Sequence, residues 1–149
     1  MTYEVENFSG QDRIFAPSFE MLVDSGSLLR SGRDVPQSVV REIKARLGNS
    51  PLLEDQLSIV DTLLQGRENA KYGLVVWPVA DLDADEVTIF AAGFSGESTV
   101  YFTNNPETGQ RDRFVLRKQR VLRYRTPGMQ SGARGSTPYE LSDATWEMR

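Results

Sequence analysis

Two hydrophobic periods divide the chain. Phe19, Met21 and Val23 alternate with polar or small neighbours, the period of a half-buried strand, and Asp24-Ser-Gly-Ser27 then reads as a turn. Further on the spacing becomes helical. Val39, Val40, Ile43 and Leu47 share one face, with Pro36 in the first turn and Gly48 at the end. Asn49-Ser50-Pro51 repeats the start signal, Leu53, Leu57, Val60 and Leu64 repeat the spacing, and Gly66 closes it. The pattern predicts an N-terminal helical hairpin over about 35–66.

Beyond residue 71 the period becomes two. Strands are expected near 72–79, 86–93, 98–103 and 112–125, with turns at 81–85, 93–97 and 104–109. Connections this short favour an antiparallel meander, so the second half predicts an antiparallel β-sheet or small β-sandwich at about 72–125. Pro78 cannot donate to a ladder and marks an edge or bend. Lys118 and Arg120 interrupt the apolar face of the last strand and predict a bulge or break there. The fold class expected is α+β, in a single globular domain over 1–126. Residues 1–12 read as frayed and 127–149 as a flexible tail, with Trp146 able to dock back on the body.

Composition narrows the chemistry. At 149 residues the chain is one domain of ordinary size. It contains no cysteine and no histidine. Disulfides, thiolate metal sites and cysteine nucleophiles are excluded, and so are the commonest general base and the commonest transition-metal ligand. The expectation is a non-enzyme. The first residues are polar and acidic, and there is no apolar run of membrane-spanning length. A soluble chain without an export signal is expected, cytoplasmic if this is the full-length protein.

The net charge of −4 conceals a division. Residues 1–110 carry 8 basic and 17 acidic side chains, whereas residues 111–125 carry 7 and 1. Three candidate sites arise from this and from the aromatics. Asp81, Asp83 and Asp85 alternate like the start of a calcium loop, but Glu86 and Ala92 stand where that loop needs Gly and Glu. In a meander the 81–85 and 104–111 connections fall at the same end of the sheet, so these acids could meet Asn104, Asn105 or Glu107 around calcium. Arg111 and Arg113 would come equally near, and neutralise them without metal.

Arg113, Arg117, Arg123 and Arg125 share one strand face by parity and could meet an anionic partner. The alternative is pairing across strands with Glu86, Glu97 or Glu107. An acidic chain with few aromatics beside these arginines argues against nucleic acid. Trp77, Tyr101 and Phe102 are the strand aromatics; Trp77 and Tyr101 could form an aromatic platform for sugar or peptide, or all three simply be core. Gly93-Phe94-Ser95-Gly96 glances at a nucleophile elbow, with its second glycine one place early and no histidine, and reads better as a hairpin turn.

The stretch 72–128 resembles a group of uncharacterised bacterial β-domain proteins. The resemblance is carried by Tyr72-Gly-Leu-Val-Val-Trp77, Asp81-Leu-Asp83, Asp85-Glu-Val-Thr-Ile-Phe90, Gly93-Phe-Ser95, Leu116-Arg-Lys118 and Arg125-Thr-Pro-Gly128. It covers a little over a third of the chain through loose motifs. It implies a β-domain and no site residues. The function expected is a non-enzymatic binding or assembly module acting on a protein partner or on itself. The alternatives are a calcium-dependent β-domain that binds carbohydrate or a surface partner, and a carboxylate-based hydrolase.

Overall fold

The computed structural model describes residues 1–78, 84–125 and 140–149. It is mostly β, with one α-helix among the described residues. The strands are β1 (Thr2–Val5), β2 (Arg13–Phe15), β3 (Ser18–Val23), β4 (Leu28–Arg30), β5 (Leu53–Asp55), β6 (Asp61–Leu63), β7 (Lys71–Leu74), β8 (Glu86–Ala92), β9 (Ser98–Asn104), β10 (Arg111–Arg125) and β11 (Glu140–Met148). The helix α1 spans Gln37–Arg46. Among the described residues three sheets form: β1-β7-β5, β2-β6, and β11-β10-β8-β3-β4 with β9 also on β10.

The main core lies on one face of the largest sheet. Period-two alternation buries Phe19 and Met21 of β3 and Val87, Ile89 and Ala91 of β8. Pairing aligns Met21 with Ile89 and Ile89 with Leu122, so one apolar row crosses three strands. Tyr3, Phe15, Phe19 and Phe94 form an aromatic cluster beside it, with centroids 5.1–5.7 Å apart.

The helical hairpin is not present. α1 forms where its first half was expected, immediately after Pro36. Gly48 and Asn49 then both take left-handed backbone, and the Asn49 N–H donates to the Lys44 carbonyl. Asn49 therefore closes this helix instead of opening another. Residues 50–66 form β5, β6 and the turns around them. The Asp55 carboxylate accepts the Leu57 and Ser58 N–H groups, which holds a turn in the middle of the expected helix. β5 lies parallel to β7, and β6 antiparallel to β2. The helically spaced apolar set is misleading: Leu57 is 77% exposed, and Val60 and Leu64 are exposed too. Leu53, Ile59 and Leu63 are the buried residues, with Ile59 fully so.

Three other expectations change. The start is not frayed through 1–12, because β1 pairs with β7 and the Val75 N–H donates to the Met1 carbonyl. Nor is the end of the chain a free tail: β11 pairs with β10 from Lys118 to Arg125, and Trp146 docks opposite Arg120. Residues 126–139 lie outside the described residues. The strand expected at 72–79 is shorter, at Lys71–Leu74, and belongs to a different sheet from β8.

The last difference removes the meander. β8 and β9 do not pair with each other. They follow one another along the same side of β10: Glu86 to Ala91 lie opposite Arg125 to Arg120, and Ser98 to Asn104 opposite Arg117 to Arg111. β10 itself runs unbroken, so the irregularity expected near 118–120 sits in the facing chain, at 92–97. The segment 93–96 is thus an offset between two collinear strands, not a hairpin turn. Phe94 anchors the offset in the aromatic cluster, and Ser95 Oγ accepts the Glu97 N–H.

Candidate functional site

Past the offset, β9 and the first half of β10 leave the body as a two-stranded ribbon. β11 ends at the level of Lys118, with one further reciprocal backbone pair between Arg117 and Arg149. Beyond that level the ribbon has no other strand on either side among the described residues. At roughly 3.3 Å per residue it is about 20 Å long. Every residue of β9 is exposed.

An asparagine builds the tip. Asn105 N–H donates to the Gln110 carbonyl, and Asn105 Oδ1 accepts the Glu107 and Thr108 N–H groups. Its Nδ2 reaches Asp112 Oδ2 at 3.3 Å. Gly109 takes the left-handed conformation that lets its N–H return to the Asn105 carbonyl.

Pairing sorts the ribbon into two faces. One carries Val100, Phe102 and Val115 among Arg111, Arg113 and Arg117. The other carries Tyr101, Phe114 and Leu116 with Thr99, Thr103 and Asp112. Tyr101 is 58% exposed and Phe114 49%, and Val100, Phe102 and Val115 are also exposed. Neither face packs on the body as a core face would. The Arg111 guanidinium stacks 4.4 Å from the Phe102 centroid. Among the described residues, Arg111, Arg113 and Arg117 form no salt bridge.

The body end of β10 differs. Arg123 Nη1 pairs with Asp143 at 2.9 Å and Nη2 with Glu147 at 2.8 Å. Arg125 pairs with Glu86, and Lys118 with Glu97 at 2.6 Å. On the same sheet Glu20 receives Arg149 at 2.7 Å and Arg30 at 3.1 Å. The hydrogen bond from Arg149 holds the Glu20 carboxyl below its ordinary range, and Arg123 does the same to Glu147. Arg113, Arg117, Arg123 and Arg125 thus share a face, as parity predicts, but not a condition. Two are neutralised within the sheet and two stand on the ribbon.

The calcium constellation does not assemble as expected. Asp81 and Asp83 lie outside the described residues. Asp85 precedes Glu86, which faces Arg125, whereas Asn104 faces Arg111 at the other end of β10. That separation is about 45 Å along the strand at roughly 3.3 Å per residue. Strands that paired in chain order would have put these two loops at one end of the sheet, but β7, β8 and β9 do not pair with one another. Asn105 also uses its side-chain oxygen within its own turn. Among the described residues no three carboxylates gather closely enough to hold a metal ion.

Trp77 and Tyr101 do not form one platform. Trp77 is half-buried against the main core and lines an apolar cavity of about 470 Å³, together with Met21, Val75, Val87, Ile89 and Tyr124. Its Nε1 is buried without a hydrogen-bond partner among the described residues. Burial pushes the Tyr124 phenol above its ordinary pKa. Tyr101 sits on the ribbon.

Sequence reasoning missed Val100, Phe114 and Val115 as functional candidates. A signal was present. Val100-Tyr101-Phe102 and Phe114-Val115-Leu116 place apolar residues on both parities of paired strands, whereas a half-buried strand keeps them on one.

No protein-family profile, curated protein sequence or solved structure matches this chain. Among the described residues no helix is long and apolar enough to cross a membrane.

Proposed function

We propose that the protein is a non-enzymatic binding or assembly module, and that the β9–β10 ribbon is its docking element. One observation carries this reading: a projecting ribbon whose large apolar side chains are exposed on both faces. Isolated two-stranded ribbons are marginal in water, and contiguous exposed apolar surface marks an interaction site. The core clusters lie elsewhere, on β3 and β8, between β2 and β6, and between α1, β5 and β7, so the ribbon's aromatics are not needed to fill them. The basic half of the ribbon suits a partner surface with acidic or polar rim groups.

The test is in-cell photo-crosslinking from a benzoylphenylalanine at Phe114, with the same group at exposed Leu57 as control. Covalent adducts to a macromolecule are expected from the ribbon position alone. Equal yields from the two positions, or none from either, would remove the reading.

A further inference from the structure

We infer that the ribbon's free edge docks on the same edge of a second copy, pairing β9 with β9 about a two-fold axis at Tyr101. The inference rests on the docking reading above and names its occupant.

The first observation is the edge itself. β9 reads Ser-Thr-Val-Tyr-Phe-Thr-Asn, with no charge, proline or glycine. Edge strands are normally guarded by charges, by bulges or by being very short. The other edges here follow that rule. β11 carries Glu140, Asp143 and Glu147; β4 is three residues long and ends in Arg30; the free flank of β10 carries Arg111, Asp112 and Arg113. Among the described residues, only β9 on the large sheet is long and unguarded.

The second observation is which backbone groups are free. Asn105 bonds Gln110 across the hairpin, so Thr103, Tyr101 and Thr99 bond β10 in turn. The N–H and C=O groups of Ser98, Val100, Phe102 and Asn104 therefore point away from β10, along the open edge.

The third is self-complementarity. Antiparallel pairing centred on Tyr101 places Ser98 opposite Asn104, Thr99 opposite Thr103, and Val100 opposite Phe102, with Tyr101 opposite its own copy. These include an aromatic pair, aromatic–β-branched pairs and Thr–Thr pairs, the combinations that favour cross-strand contact. The four outward residues then meet as hydrogen-bonded pairs, and Tyr101 falls in a non-hydrogen-bonded one. The arginines of the two β10 strands stand three strand spacings apart, about 14 Å, which exceeds the physiological screening length. The charged free flanks of β10 then close the assembly as a dimer.

Sedimentation of the purified chain across a concentration series reads this directly, and a dimer is expected. Val100→Pro removes one outward N–H from each copy without touching the β10 ladder. It should raise the dissociation constant by about tenfold or more while the melting temperature of the monomer stays in place. The native chain has no cysteine, so register can be trapped cleanly. Tyr101→Cys should oxidise to a disulfide dimer, since its two Cα atoms would lie about 4.5 Å apart, within bridging range. Thr99→Cys and Thr103→Cys should link with each other when mixed and neither alone.

A monomer at every concentration overturns the inference, as does growth past the dimer, or Tyr101→Cys linking no faster than Leu57→Cys. If the chain stays monomeric while Phe114 crosslinks a different macromolecule in cells, the docking reading stands and the second copy is wrong. If both assays are empty, both fail.

Discussion

Replacing Ile59 by alanine, with Leu57→Ala as its companion, tests how residues 50–66 fold. A helix over this segment would bury Leu57 and turn Ile59 outward. The structure does the reverse: Ile59 is fully buried with Phe15 and Leu63, and Leu57 is 77% exposed. Removing a fully buried isoleucine side chain costs the lost transfer free energy and leaves a cavity, about 3 kcal/mol in a site that relaxes little. For a domain of this size, roughly 3 °C per kcal/mol gives a fall in melting temperature of about 10 °C. Leu57→Ala removes mostly exposed surface and should cost less than about 0.5 kcal/mol. Urea denaturation of both variants with matched m-values supplies the comparison. Equal losses for the two variants, or an Ile59→Ala loss below about 1 kcal/mol, would refute the β5–turn–β6 assignment.

Gly73→Ala should destabilise the β1–β7 pair by about 1–3 kcal/mol, since a Cβ there would overlap the Tyr3 ring; Tyr3→Ala should relieve part of that loss in the double variant, measured by the same denaturation. Glu20 and Glu147 titrate below their unfolded value of 4.5, so their contribution is fully present above that pH and is lost as pH falls through the lower folded values. Melting temperature should therefore decline on the acid side of pH 4.5, and Glu20→Gln with Glu147→Gln should flatten that decline. An unchanged acid limb in the double variant would contradict the pairing with Arg149 and Arg123.

Local alternation was enough to read β3 and β8, because each buries residues of one parity in the main core, and β10, whose half-buried Leu122 and Tyr124 pack against that core from one parity. It was not enough to say which strands are neighbours. β7 and β8 are consecutive, yet one pairs with β1 and β5 and the other with β3 and β10. That choice is made by long-range packing, and no period in the sequence records it. The false second helix had a local cause: leucines at helical spacing coincided with Asn49, Ser50 and Asp55, each of which supports turns as well as helix ends. Of the candidate site, the arginine row was legible as a shared face, and so was its partial neutralisation by Glu86. Its division into a paired half and a projecting half was not, because that depends on where β11 stops. β11 escaped notice because its only large apolar side chains are Leu141, Trp146 and Met148, all of them exposed.

The central claim is that the ribbon serves contacts outside the fold that carries it. Lys118 N–H donates to the Glu97 carbonyl at the ribbon's base, at 3.0 Å, which is a closing pair suited to a two-residue turn. Replacing residues 98–117 with Asn-Gly would remove the ribbon and leave that pair in place. The most direct measurement is the melting temperature of this shortened chain at a dilution where the parent is monomeric. The account predicts a value within about 3 °C of the parent, the equivalent of roughly 1 kcal/mol. A fall several times larger would show that the ribbon is part of the body's own stability and would contradict the claim.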